Sequence, residues 1–301
     1  MNRHFRTITD ISRGELLYII DRAIQFKRGE AVTSNPLMGK SIGLFFEKPS
    51  TRTRVSFEVA IYQLGGNKVN LNPQEMQIGR GETLADTARV LSRYLDAIIF
   101  RVLSHSTIET FAENSAIPVI NGLSDLHHPC QALADMMTIK ENKGTFDGLK
   151  VAYIGDGNNV ANSLIEASIC GGIELFIASP EEYAPEPAFV SAFEARTGRK
   201  VSVTKDPAEA AKDADVLYTD VWVSMGQEID RERKYEAFRG FQINSEIVSL
   251  AKGDAIVLHC LPAYRGLEIT DEVIDGPQSR VFDQAENRLH TSKALLEFLL
   301  K

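Results

Sequence analysis

The segment Lys48-Pro49-Ser50-Thr51-Arg52-Thr53-Arg54 gathers hydroxyl, ammonium and guanidinium groups in one short stretch. It stands between an apolar run at 42–46, read as a strand, and residues 51–64, whose apolar spacing is helical. At a strand-to-helix turn the first helical N–H groups have no intrahelical acceptor, and the positive end of the helix dipole favours an anion. Ser and Thr hydroxyls and an arginine fork add donors that suit phosphate oxygens. The segment is therefore a candidate phosphate cradle. A plainer reading stays open, in which Ser50 only caps the helix and the arginines are solvated.

Other groups fall at the ends of predicted strands, where open α/β sheets bind ligands. Arg101 closes the run at 98–100. His127-His128-Pro129-Cys130-Gln131 opens a long helical segment at 129–142, and His128 and Gln131, three apart, could reach one carbonyl oxygen together. Zinc is a rival use for His127, His128, Cys130, His259 and Cys260, but neither cluster has an established zinc spacing. Gly155-Asp156-Gly157-Asn158-Asn159-Val160 follows a strand and invites a dinucleotide reading. That reading fails because Val160 replaces the third glycine, and no acid ends the next strand to hold a ribose. The same turn can present Asn159 to a small substrate. Asp220 opens a loop through Ser224, Met225 and Gly226 that suits closure over a substrate, with an ordinary surface loop as the alternative. His259-Cys260-Leu261-Pro262 ends a further strand, where the thiol is either structural or faces a site.

Short apolar runs that alternate with amphipathic stretches from residue 39 onward must position these groups. Runs at 42–46, 97–100 and 118–121 form one set; runs at 151–154, 174–178, 201–204, 216–219 and 255–258 form another, beyond the helix at 129–142. This rhythm predicts an α/β fold of two domains, each a mainly parallel β-sheet flanked by helices. The expected division is 1–143 plus a returning C-terminal helix at 285–301, and 144–284. The length of 301 residues agrees with two domains. A net charge of -8 argues against nucleic acid or an acidic membrane surface as the main partner, and no apolar run approaches a membrane helix. A small ligand fits better. Three widely spaced cysteines and no secretory pattern at the start predict a cytoplasmic protein.

Taken together, Ser50-Thr51-Arg52-Thr53-Arg54, His128-Pro129-Cys130-Gln131, Asp220 with Ser224-Met225-Gly226, and His259-Cys260-Leu261-Pro262 resemble the ornithine carbamoyltransferase family over nearly the full length. The first two motifs are shared by carbamoyltransferases generally; the last two separate the ornithine enzymes from the aspartate enzymes. The resemblance implies transfer of the carbamoyl group of carbamoyl phosphate to the δ-amine of L-ornithine, giving L-citrulline and phosphate, in arginine biosynthesis or in reverse in catabolism. It implies that Ser50, Thr51, Arg52 and Thr53 hold the phosphate, that Arg101, His128 and Gln131 polarise the carbamoyl carbonyl, and that Arg288 closes that site. Asn159, Asp220, Ser224 and Met225 would bind ornithine, with Cys260 and Leu261 beside the reacting groups. It further implies a homotrimer with active sites at subunit interfaces, Gln77 reaching into a neighbour's site, and no metal or organic cofactor. A carbamoyltransferase for putrescine or N-acetylornithine and a catalytically silent anion-binding module are the alternatives.

Overall fold

The computed structural model describes residues 3–30, 35–223 and 231–301, apart from the side chains of 79–80 and 169–170. The chain divides into two compact units, Met1–Met137 with Glu286–Lys301, and Thr138–Ala285.

The first unit contains helix α1 (Arg13–Arg28), strand β1 (Ser41–Phe46), α2 (Arg52–Gln63), β2 (Asn67–Leu71), α3 (Leu84–Leu91), β3 (Ala97–Arg101), α4 (His105–Glu113) and β4 (Val119–Leu123). Its strands form a parallel sheet in the order β2-β1-β3-β4. Helix α5 (Pro129–Lys143) then carries the chain across the division. It is buried on all sides from Pro129 to Ile139, and its buried polar side chains Gln131 and Asp135 are hydrogen-bonded to each other.

The second unit continues with β5 (Lys150–Ile154), α6 (Asn159–Gly171), β6 (Glu174–Ala178), α7 (Pro187–Thr197), β7 (Val201–Thr204), α8 (Pro207–Ala211) and β8 (Val216–Thr219). After these come α9 (Arg231–Ala237), α10 (Ser245–Leu250), β9 (Ile256–His259), α11 (Asp271–Ile274) and α12 (Val281–Leu300), the last of which returns to the first unit. This sheet is also parallel, in the order β7-β6-β5-β8-β9. The expected fold class of two parallel-sheet α/β domains is what the chain adopts.

The β2-β1-β3-β4 order reverses direction between β1 and β3, and the second sheet reverses between β5 and β8. At such a switch point the connections leave on opposite faces, which opens a crevice at the strands' carboxyl ends. Strand burial holds these crevices in place. In the first unit Phe45, Phe100 and Phe111 pack in series, with ring centroids 5.1 and 4.8 Å apart, beside Ile98, Ile108 and Val119. Each such side chain contributes about 1.5–3 kcal/mol on burial. In the second, Tyr153 and Tyr218 sit opposite each other in register across β5 and β8, with ring centroids 5.6 Å apart.

The alternation read from residue 39 onward leaves out α1 and β2. Helix α1 announces itself by a capping box, with the Ser12 hydroxyl accepting from the Glu15 N–H and the Glu15 carboxylate accepting from the Ser12 N–H. Strand β2 (Asn-Lys-Val-Asn-Leu) is largely exposed and lies at the sheet edge, where no apolar alternation is required. Among the described residues no helix is long and apolar enough to cross a membrane.

Candidate functional site

In the first unit, β1 and β3 run in register with Phe46 opposite Arg101, so the segment after Phe46 and the buried Arg101 lie at the same end of neighbouring strands. Helix α2 starts at Arg52, and its N-cap position is taken by Thr51, not Ser50. Thr51 has φ -78° and ψ -58°, and its side chain makes no capping bond. The first-turn N–H groups are thus left without a side-chain cap, and the positive helix end faces outward beside half-buried Ser50 and Arg52.

Behind this turn lies a buried polar network. Arg288 of α12 donates from Nη1 to Gln131 Oε1 at 2.6 Å and from Nη2 to Thr53 Oγ1 at 3.1 Å. Gln131 Nε2 donates to Asp135 Oδ1 at 2.9 Å, one helical turn on. The donor on one side and the carboxylate on the other fix which way the Gln131 amide points. His128 immediately precedes α5, its carbonyl accepting from the Gln131 N–H at 3.0 Å. Its imidazole is held well below the ordinary 6.5, first by burial and then by the positive charges of Arg288, Arg101 and Arg52. It is therefore neutral, and three guanidinium groups act on it together.

The neighbours of His128 in sequence have other roles. His127 is pushed down to about 4, chiefly by burial, and packs edge-on against His105 at 4.8 Å. The Cys130 thiol donates to the Asn121 carbonyl at 3.3 Å and is pushed up to about 12 by burial, which makes it inert. Among the described residues His127, His128 and Cys130 form no ligand cluster. Gln77 opens a 3-10 turn with its side chain exposed.

In the second unit, Thr219 at the end of β8 pairs with His259 at the end of β9, so Asp220 and Cys260 leave their strands side by side. The Cys260 thiol donates to Asp220 Oδ1 at 2.8 Å. The other carboxylate oxygen, Oδ2, accepts from Asn158 Nδ2 at 3.0 Å, and Oδ1 also accepts from the Val221 N–H at 2.7 Å. Asn158 caps α6 as well, its Oδ1 accepting from the N–H groups of Val160 and Ala161. Sequence reasoning passed over this residue in favour of Asn159, which is the first residue of α6 and half-buried. The available signal was an Asn directly ahead of a helix. Ser224 and Met225 lie outside the described residues.

His259, Cys260 and Asp220 bring their ligand-type atoms within 4.8 Å of one another, but the histidine is committed elsewhere. Its Nδ1 accepts from the Leu261 N–H at 2.9 Å, so its proton is on Nε2, which meets Glu268 Oε1 at 3.0 Å. That leaves only a thiol and a carboxylate for a metal, too few for a protein zinc site. The same bond holds Leu261 at φ 57°, ahead of a cis bond to Pro262, and so shapes the turn that carries Cys260.

The sequence pattern described as "Aspartate/ornithine carbamoyltransferase, carbamoyl-P binding domain" matches residues 3–141, and "Aspartate/ornithine carbamoyltransferase, Asp/Orn binding domain" matches 147–299. The chain is 53% identical to an ornithine carbamoyltransferase of Acidothermus cellulolyticus over 304 residues, which covers 100% of the chain and 97% of the relative. It is also 53% identical, over 291 residues, to a catabolic ornithine carbamoyltransferase of Thermoplasma volcanium, covering 96% and 95%. The solved ornithine carbamoyltransferase of Pyrococcus furiosus superposes with a TM-score of 0.92 at 51% identity, covering 98% of this chain and 96% of that one.

Proposed function

The chain belongs to the aspartate/ornithine carbamoyltransferase family, and on that footing we propose that it transfers the carbamoyl group of carbamoyl phosphate to the δ-amine of L-ornithine. The observation that carries the reading is the grouping of Arg52, Arg101 and Arg288 about one buried, neutral imidazole, His128. Three cations beside an uncapped helix N-terminus suit a dianionic phosphate. A neutral imidazole and an oriented amide suit the carbonyl of the same molecule. In this reading Ser50, Thr51, Arg52 and Thr53 hold the phosphate, Arg101, His128 and Gln131 hold the carbonyl oxygen, and Arg288 aligns Gln131 and Thr53.

The acceptor must arrive as a neutral amine, yet an alkyl ammonium has a pKa of about 10.4, so roughly one in a thousand is neutral near pH 7. Asp220 and the Cys260 thiol bind the amine end of the acceptor in this reading and assist its deprotonation, which their 2.8 Å contact supports. Asn159, Ser224 and Met225 hold the amino-acid end, and Leu261 borders the carbamoyl group. As the amine attacks, negative charge grows on the carbonyl oxygen and then on the departing phosphate, where fixed donors and cations stabilise it. Carbamoyl phosphate already carries an activated acyl group, so the step as proposed calls for no metal or organic cofactor. The same site run backwards cleaves citrulline with phosphate, so the reading covers both arginine biosynthesis and catabolism.

We further assign a cytoplasmic homotrimer, with active sites at subunit interfaces and Gln77 serving a neighbouring copy. Exposed apolar side chains on the first unit, Val55 and Tyr62 of α2 and Tyr94 after α3, favour association. Light scattering should give three times the 33.4 kDa chain mass.

The test is turnover. Purified protein with carbamoyl phosphate is offered ornithine, N-acetylornithine, putrescine or aspartate, and both phosphate and carbamoylated product are followed. Product with ornithine alone is expected. Transfer to another amine would overturn ornithine as the acceptor, and no transfer to any amine would favour a silent anion-binding module.

A further inference from the structure

Asn158 does two things with one amide. Its Oδ1 accepts from the N–H groups of Val160 and Ala161 at 2.9 and 3.3 Å and so caps α6, while its Nδ2 donates to Asp220 Oδ2 at 3.0 Å. The cap alone needs only an oxygen, which Ser and Asp supply about as well as Asn. Neither could also serve Asp220, since an ionised Asp has no donor and the Ser hydroxyl stands on a shorter side chain. The amide is oriented from both ends. Turned over, it would set Oδ1 against a carboxylate oxygen and Nδ2 against two N–H groups.

The backbone on either side holds this amide in place. Thr219, the residue before Asp220, donates its hydroxyl to the Ile154 carbonyl at the end of β5 at 2.7 Å. In the turn that follows β5, the Tyr153 hydroxyl donates to the Asp156 carbonyl at 2.9 Å and the Gly157 N–H to the Tyr183 carbonyl at 2.8 Å. Asp220 itself is 5% exposed, and its carboxylate accepts from the Cys260 thiol and the Val221 N–H on Oδ1 and from Asn158 on Oδ2. A carboxylate has about four acceptor sites. The site left over is on Oδ2, the oxygen that Asn158 holds. Because Asn158 is neutral, it orients the carboxylate without cancelling its charge, as a lysine or arginine in its place would.

We propose that Asn158 is a positioning residue for the acceptor: it fixes the Asp220 carboxylate so that the remaining Oδ2 site, with its charge intact, is kept for the amine of ornithine. The inference rests on the assignment of Asp220 to that amine. On this account Asn158 touches neither substrate, and its cap and its hold on Asp220 are separable.

The experiment compares Asn158→Ser and Asn158→Asp, which keep a cap, with Asn158→Ala, which keeps neither bond, each checked for folding by circular dichroism. The readouts are the thermal midpoint, the Kd of carbamoyl phosphate, kcat/KM for ornithine, and the Ki of L-norvaline, which is ornithine without its δ-amine. Asn158→Ser should unfold near the wild-type midpoint, yet lose roughly tenfold to a hundredfold in kcat/KM, as for a hydrogen bond to a charged group. Its norvaline Ki and carbamoyl phosphate Kd should stay at the wild-type values. Asn158→Asp should lose at least as much kcat/KM, because a second carboxylate then faces Oδ2. Asn158→Ala should lose both activity and midpoint; if it does not fold, the other two decide. Full kcat/KM in the Ser and Asp variants would mean that Asn158 only caps α6 and would overturn the proposal. So would a norvaline Ki that rises in step with the loss for ornithine, because the whole pocket and not the amine contact would then have been lost. Asp220→Asn tests the premise by itself: undiminished turnover there, or a wild type that forms no citrulline, would overturn the reading of the site and this inference with it. Loss in Asp220→Asn with none in the Ser and Asp variants would overturn only the inference.

Discussion

In the proposed mechanism His128 donates to the developing oxyanion as a neutral imidazole, the state that burial first and the surrounding guanidiniums second impose on it. Removing one such donor costs about 10²- to 10³-fold in kcat. His128→Ala should lose that much with both substrates saturating, and an unchanged kcat would remove it from the mechanism. Cys260 is a different case, because its thiol is already spent on Asp220. Cys260→Ser should alter the ornithine KM by roughly threefold to tenfold, equivalent to about 1 kcal/mol for one hydrogen bond, and leave carbamoyl phosphate affinity alone. A rise in carbamoyl phosphate Kd instead would place Cys260 in the other pocket. At this scale sequence position shows which residues stand at strand ends, but not which of two similar neighbours is used. His127 and His128 are alike in type, and packing separates the first, edge-on against His105, from the second, set among arginines. Nor could local spacing pair Arg288 with Thr53 across 235 residues, or single out Asn158 as the partner of Asp220.

Among the elements, two turns would carry much of the proposed chemistry, and each depends on a backbone feature. The turn after β1 leaves the start of α2 uncapped, and the turn after β5 is threaded between β8 and the Ala184–Pro185 segment. A methyl group on Gly157 would stand 2.3 Å from the Pro185 nitrogen and 2.5 Å from the Ala184 carbonyl carbon. Backbone cannot yield as a flexible side chain would, so Gly157→Ala should cost about 1–3 kcal/mol. Thermal or urea unfolding reads this directly, and an unchanged midpoint would mean that the turn has room to shift. The parallel strands of both sheets were legible because strands buried on two faces read as continuous apolar runs. Strand β2 was not, since its residues face solvent and only its pairing with β1 defines it. Helix α2 was placed to within a residue, but its cap fell on Thr51 because a cap is decided by backbone angles that composition does not reveal.

For the whole molecule, burial of imidazoles links stability to pH. His4, His105, His127, His128 and His290 are all held below the ordinary 6.5, in each case first by burial. In the unfolded chain these rings bind protons as pH falls through about 6.5, whereas the folded chain resists until lower pH, about 4 for His127. Their stabilising contribution is therefore full above 6.5 and lost as pH falls below it, by up to about 1.4 kcal/mol per pH unit for His127 and His128 and by less for the more solvent-screened His4, His105 and His290. The urea midpoint should drop between pH 7 and pH 5; a flat or rising midpoint would contradict this. Two-domain organisation was legible from the rhythm of strands and helices. So were the five strands of the second sheet, and the first sheet lacked only β2; the strand order and the switch points were not, because order is a property of pairing across the chain. The claim on which everything else depends is carbamoyl transfer itself, and carbon-13 NMR of labelled carbamoyl phosphate mixed with ornithine and the protein tests it most directly. The account predicts that the label leaves carbamoyl phosphate and appears in the ureido carbon of citrulline, with one phosphate released per citrulline formed. Label that stays in carbamoyl phosphate, or that appears only in its hydrolysis products at the uncatalysed rate, would contradict it.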